Sequence, residues 1–237
     1  MKKFSILFLA VLVLGKLFAQ EINDPNAIRV DVKTFNAINV SNAFDVYLTQ
    51  GKEEAVAVSA SEQKFRDKIK VEIKDGVLHI RYENGGLHFN SGKMKLKAYI
   101  SYVYIDRLTA SGACDVFILG KMSAPKLDIN LSGATDLKGE LDITSDLTVS
   151  ISGASDMKVS GKAAKVEVDA SGASDFKGYD FTTNDCTAKA SGASSVQITM
   201  SGGTLNAHAS GASDIHYKGE AKTGEMKSSG ASSISKS

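Results

Sequence analysis

From Leu108 onward the chain alternates apolar and polar side chains with a period of two, the pattern of a strand with one buried face and not of a helix. The alternation is anchored on a pentapeptide, Ser-Gly-Ala-x-Asp/Ser, that begins at Ser111, Ser132, Ser152, Ser171, Ser191, Ser210 and Ser229, with successive spacings of 21, 20, 19, 20, 19 and 19 residues. Four residues before each repeat glycine stand Leu108, Ile129, Val149, Val168, Ala188, Ala207 and Met226. Four residues after it stand Val116, Leu137, Met157, Phe176, Val196, Ile215 and Ile234. All of these are apolar, whereas the neighbours of the first set, from Arg107 and Thr109 to Glu225 and Lys227, are polar.

So short a strand unit cannot bury its own face, so successive units must stack. The pattern predicts an all-β chain folded as a single-stranded parallel β-helix, a β-solenoid with coils of about 20 residues. Right-handed winding is expected from the general preference of parallel crossovers. Seven coils at the strand spacing make a stack roughly 34 Å tall. Second corners are expected near Gly120, Gly139, Gly161, Gly178, Gly202 and Gly219, where a chain without Cβ turns cheaply. If the alternation runs through the repeat glycine, Cys114, Thr135, Ser155, Ser174, Ser194, Ser213 and Ser232 form an inward ladder, mostly of hydroxyls. The alanine after each glycine then forms an outward row of methyl groups.

Residues 20–105 read differently. They hold Phe35, Phe44, Tyr47, Phe65, Tyr82, Phe89, Tyr99, Tyr102 and Tyr104, most of the aromatics beyond the leader described below. Val71 to Ile80 alternates around Asp75-Gly76, the signal of a hairpin with a type I′ turn, and Glu62 to Ile69 predicts a short helix. Ser41-Asn42-Ala43-Phe44-Asp45-Val46-Tyr47-Leu48 is a weaker relative of Ser111 to Ile118. Solenoids need atypical terminal units. Three segments are therefore expected: a leader at 1–19, an irregular N-terminal capping region at 20–105 continuous with the solenoid, and seven coils at 106–237.

The leader follows from Lys2 and Lys3, the apolar run Phe4 to Gly15, and Leu17-Phe18-Ala19 before Gln20. It predicts export, to the periplasm, the outer-membrane surface or the medium, without a lipid anchor because no cysteine sits at the cleavage point. The apolar run is too short to span a bilayer and no second one follows, so the chain is not expected to cross a membrane. Its 237 residues carry a formal charge of +1, which becomes −2 once Lys2, Lys3 and Lys16 leave with the leader. Nothing in that balance points to nucleic acid. Two cysteines exclude a disulfide-built scaffold, and 21 glycines with only two prolines exclude collagen-like and Pro-rich disordered classes.

The candidate chemistry lies in the repeat itself. Asp115, Asp136, Asp156, Asp175 and Asp214 should project outward in one row, completed by Ser195 and Ser233. Carboxylates about 5 Å apart are able to bind cations or polar ligands. Lys138, Lys158 and Lys177, with His216, fall two residues further on the same face and offset the like-charge repulsion. A charge-compensated face is therefore favoured over a metal site, and neither metal nor cofactor is expected. Cys114 and Cys186 lie about three coils apart, some 14 Å, on inward positions, so they are expected to be buried and unpaired. His79, His88, His208 and His216 lack ligand spacing, and there is no Gly-x-Ser-x-Gly elbow, so no catalytic residue is assigned.

With its leader, the Ile38-Asn39-Val40-Ser41-Asn42-Ala43-Phe44-Asp45-Val46 segment and the serial Ser-Gly-Ala-Ser-Asp coils, the chain resembles the autotransporter adhesin head (head GIN) domain family over nearly all of 28–237. That resemblance implies a β-helical protein of Bacteroidetes type and no catalytic residues. The solenoid takes up the whole mature chain, so no translocator barrel is expected within it. The leading expectation is a non-enzymatic, exported, adhesin-like protein presenting the polar Asp/Lys face to a cell-surface glycan or protein. A structural, self-assembling envelope role is the alternative, because the last coil, Ser228 to Ser237, carries no apolar cap and its edge is open to edge-to-edge pairing. A carbohydrate-active β-helix enzyme comes third, since it needs a cleft the sequence does not reveal. Ice binding ranks last for want of Thr-rich arrays.

Overall fold

The computed structural model describes residues 24–83 and 94–237; the expected leader and His88 lie outside them. The strands run in chain order as β1 (Ile28–Val30), β2 (Ala37–Asn42), β3 (Phe44–Gln50), β4 (Ala55–Ala60), β5 (Ile69–Lys74), β6 (Val77–Tyr82), β7 (Leu96–Tyr102) and β8 (Arg107–Gly112). Long bent strands follow: β9 (Asp115–Gly133), β10 (Asp136–Ile151), β11 (Asp156–Ala170), β12 (Asp175–Ala190), β13 (Ser195–Gly211), β14 (Asp214–Gly230) and the short β15 (Ser233–Lys236). The helix expected over 62–69 is a single turn, α1 (Gln63–Arg66).

From β9 onward each long strand is one coil of the expected solenoid, paired in parallel with the coils before and after it. Leu137 lies beside Val116 and Met157, and Val149 beside Ile129 and Val168. Within β10 the register slips after Lys138 on the β9 side and between Ile143 and Asp146 on both sides. Those slips divide the coil into three runs, before, between and after its corners. The apolar set predicted by the period-two pattern points inward and is fully buried from Leu108 to Ala207 and from Val116 to Ile215.

The repeat glycine is required twice over. Its φ lies between +78° and +98° in all seven coils, a region that side chains with a Cβ avoid. A Cβ there would also meet the backbone carbonyl of the preceding coil, at 2.7 Å for Gly192, Gly211 and Gly230. That close approach lets the following alanine N–H donate to the same carbonyl at 2.6–2.8 Å in every coil. The alanine methyls are exposed, as the alternation predicts. Inside the corner, the Ser213 hydroxyl lies 2.9 Å from the Ala190 carbonyl of the coil before and 2.8 Å from its own Ser210 carbonyl. It also accepts the Ser210 N–H at 3.1 Å. The inward ladder from Cys114 to Ser213 is buried because each polar group is bonded along or within the stack.

Of the second-corner glycines, Gly120, Gly161, Gly202 and Gly219 have positive φ. Gly139 and Gly178 do not: a Cβ at Gly139 would strike the Ile118 side chain, and one at Gly178 the Phe176 ring. At these two sites glycine makes room for a neighbour's bulk instead of making the turn.

The N-terminal strands extend the same ladders out of chain order. β2 lies between β6 and β8, and β3 between β7 and β9, all in parallel. The β2–β3 coil is thus sandwiched between β6–β7 and β8–β9, and the chain steps over it on passing from β7 to β8. Asn42, at φ +89°, occupies the place of the repeat glycine opposite Gly112. Its side chain compensates by accepting the Tyr82 N–H at 2.9 Å. Beyond β6 and β7 the ladders end in antiparallel strands, β5 on one side and β4 then β1 on the other. The β5–β6 hairpin turns through Asp75 and Gly76 at φ +51° and +76°, as its sequence predicts. The middle run has no partner in the β2–β3 coil, and there the Gln50 side chain stands in for a strand. Its amide accepts the Ser123 N–H at 2.7 Å and donates to the Ser123 carbonyl at 2.9 Å.

Candidate binding face

Two residues after the corner alanine the backbone places an outward side chain in every coil, and the parallel register stacks them. Lys97, Asp45, Asp115, Asp136, Asp156, Asp175, Ser195, Asp214 and Ser233 form one continuous row. The five expected aspartates are therefore brought together, and Asp45 of the β2–β3 coil joins them. Lys138, Lys158 and Lys177 also align, two residues further on, followed by Gln197, His216 and Ser235.

Charge compensation is uneven along the row. Lys177 bridges Asp156 at 2.5 Å and Asp175 at 3.2 Å, and these partners hold its ammonium charged above the usual lysine range. Asp115 has no such bridge: partial burial, then the charges of Asp136 and Asp45, push its carboxyl up, with Lys138 offsetting part of the shift. Asp214 accepts the Ser233 hydroxyl at 2.5 Å, and His216 Nδ1 lies 2.9 Å from the Ser235 hydroxyl.

Beside Asp45 and Asp115 the neighbouring row changes character. On the N-terminal side of Lys138 it continues as Phe117, Tyr47 and Tyr99. Their rings stack face to face, with centroids 5.4 Å apart for Tyr47 and Phe117 and 5.1 Å for Tyr47 and Tyr99. Such offset stacks add to the area they bury. Because the faces cover one another, the ladder presents ring edges to solvent. At its end the Tyr99 hydroxyl donates to Asp24 at 2.9 Å, and Lys97 lies 3.6 Å from the same carboxylate. Burial and that carboxylate push the Tyr99 hydroxyl well up. Asp24 is pulled up by its own burial, but bonds from Tyr99, Ser59 and the Asn26 backbone, with Lys97, bring it below its usual range. This aromatic ladder was not among the sequence candidates. Its signal is the likeness of Ser41–Leu48 to Ser111–Ile118, which sets Tyr47 over Phe117.

Among the described residues no group of three or more His, Cys, Asp or Glu side chains could hold a metal ion. Cys114 and Cys186 are free and buried. Burial pushes the Cys186 thiol up to about 12 and raises Cys114 as well. No described helix is long and apolar enough to cross a membrane. On another outer face of the coils, shallow grooves run past Asp128, Asp146, Lys165 and Glu167 and past Asp169, Lys189, His208 and Lys227.

This fold is shared with solved structures. A protein described as a "putative adhesin" from Bacteroides fragilis NCTC 9343 superposes with a TM-score of 0.78 at 21% identity, covering 89% of this chain and 95% of its own. Another so described, from Parabacteroides merdae ATCC 43184, gives 0.70 at 16% identity, covering 89% and 95%. A "putative lipid binding protein" from Parabacteroides distasonis ATCC 8503 gives 0.68 at 16% identity, covering 91% and 98%. No curated protein matches the sequence. Residues 34–221, most of the chain and nearly all of the stack, match the family described as "Putative auto-transporter adhesin, head GIN domain", and the chain belongs to that family.

Proposed function

We propose that this protein is an exported, non-enzymatic adhesin that presents its in-register acid row to a glycan or protein at a cell surface. The observation that carries the reading is the alignment of Asp45, Asp115, Asp136, Asp156, Asp175 and Asp214 along one rigid face. A ligand with regularly spaced polar groups meets a carboxylate at each coil from Asp45 to Asp175, and Asp214 after the intervening Ser195, at steps of about 4.8 Å. Many weak contacts then act together, because binding at one coil raises the effective concentration at the next. The stacked aromatics give one end of the row a different, partly apolar character.

The test is a glycan array and a surface-protein pull-down with the folded chain, alongside the triple variant Asp136→Asn, Asp156→Asn, Asp175→Asn. Binding by the parent that the variant loses supports the reading. Silence of both assays with folded parent protein, or equal binding by the variant, overturns it.

A further inference from the structure

The two ends of the stack are finished differently. Among the described residues the ladders stop at the N-terminal end in antiparallel strands, β1 of three residues and β5 with Lys70, Glu72 and Lys74 along it. Short, charged strands of this kind are how sheets discourage further pairing. At the other end, β15 and the second half of β14 pair on one side only among the described residues. There the inward positions are half-exposed: Met226 and Ile234 stand where Leu108 to Ala207 and Val116 to Ile215 are fully buried.

We propose that this edge is a docking surface for a second copy of the chain, joined end to end about a two-fold axis. A two-fold interface applies the same patch to itself, so the edge strands of two copies meet antiparallel. Centring the pairing on Met226 sets Met226 against the other copy's Met226 and closes the core on that side. The same register sets Glu225 opposite the other copy's Lys227, and Lys227 opposite its Glu225. Both side chains are exposed in the single chain, where they pair with each other and Glu225 also lies 3.3 Å from His208 Nε2. Shifting the β14 pairing by two residues removes the opposite-charge match, which is what selects this register over its neighbours. Head-to-tail growth is disfavoured because, among the described residues, the N-terminal end offers antiparallel edge strands that are short (β1) or carry charges along them (β5). The assembly therefore closes as a dimer and doubles the number of acid rows.

Sedimentation equilibrium of the purified chain tests this. A dimer is expected, weakened about tenfold by Lys227→Glu or by Glu225→Lys, since each places like charges opposite at two sites. The double variant carrying both changes, or an equimolar mixture of the two single variants, restores the opposite-charge pairs and should recover the parental affinity. Met226→Lys should give a monomer whose β circular dichroism is unchanged. A parent that stays monomeric at the highest soluble concentration overturns the proposal. So does a dimer whose affinity ignores both charge reversals, or one that the swap fails to restore.

Discussion

The coils formed by β2–β3 and β6–β7 and those formed by β11 to β15 share one ladder geometry but hold it by different means. The N-terminal coils are built from large side chains: Ile38, Val40, Phe44, Leu48, Leu78, Ile80, Ile100 and Tyr102 are buried there, beneath a covering of antiparallel strands. The C-terminal coils depend on repetition, with small inward residues such as Ala188 and Ala207 and a bonded column of serine hydroxyls at each corner. Where the repeat is regular, the backbone fits so closely that only glycine is accommodated. Where it is irregular, Asn42 takes the glycine's place and is retained by the side-chain bond it makes. Uniform coils thus gain stability from the coils on both sides, and a coil with one neighbour gains about half of it.

The largest effect should come from breaking the regular backbone fit at the middle of the stack. Gly153→Val forces a β-branched residue to φ +84° and drives its Cβ into the Gly133 carbonyl. Strain and overpacking together predict a loss of about 4 kcal/mol in urea unfolding. Gly230→Val has nearly the same φ and a 2.7 Å approach to Gly211. Its coil, which pairs on one side only among the described residues, is able to shift away in dilute protein, and about 1 kcal/mol is expected. Equal losses at the two sites would show that the last coil is as tightly held as the middle.

The sequence discloses the regular half far better than the irregular one, for a physical reason. Period two and the fixed Ser-Gly-Ala spacing report inward and outward positions directly, because every coil meets the same environment. The core set, the hydroxyl column and the Asp row were all legible in this way. The N-terminal topology was not, since no local pattern says that β2–β3 is inserted between β6–β7 and β8–β9. The Gln50 bridge to Ser123 was equally hidden, because it replaces a strand that the sequence simply lacks. The aromatic ladder was half legible: Tyr47 and Phe117 align by motif, but Tyr99 joins only through the parallel pairing of β3 with β7.

Truncating the core should reproduce the same contrast more gently. Leu48 is fully buried in the N-terminal coil, so Leu48→Ala should cost about 3 kcal/mol by lost transfer energy and the cavity left behind. Met226→Ala removes a half-exposed side chain from the open edge and should cost under about 1 kcal/mol in dilute protein. Dimerisation through that edge would raise the second value as concentration rises, so repeating the unfolding at several concentrations sharpens the comparison.

A smaller effect separates the interiors by pH. The Cys186 thiol is pushed from 9.0 to about 12 by burial. A raised value means that the folded state keeps the proton which the unfolded chain releases. The contribution is complete below pH 9 and is lost as pH climbs toward 12, at up to about 1.4 kcal/mol per pH unit. Cys186→Ala creates a small cavity at all pH values but removes this slope. Between about pH 8 and pH 10 its stability should therefore fall by about 1 kcal/mol less than that of the parent. Parallel curves for the two proteins would place the thiol in contact with water.

The smallest expected effect divides the acid row itself. Asp115 sits between Asp45 and Asp136, and its carboxyl is raised by partial burial and then by those two charges. Asp156 stands in the same row but is bridged by Lys177 at 2.5 Å. The two aspartates should consequently respond with opposite sign to the same change. Asp115→Asn removes a charge that the folded state disfavours. Its raised carboxyl supports folding only at low pH, below its unfolded value, and that support disappears as pH rises through the folded value. At neutral pH the asparagine should therefore stabilise the chain by a few tenths of a kcal/mol, on the order of an exposed like-charge pair. Asp156→Asn loses a partly exposed ion pair and should destabilise by about 0.5 kcal/mol or less. Both differences should shrink in high salt, because screening weakens repulsion and attraction alike. Thermal melts of the two variants at low and high salt are sufficient to read the signs. If both variants were destabilising, the N-terminal end of the row would be held by contacts that outweigh its repulsion, and the acid face would be uniform after all.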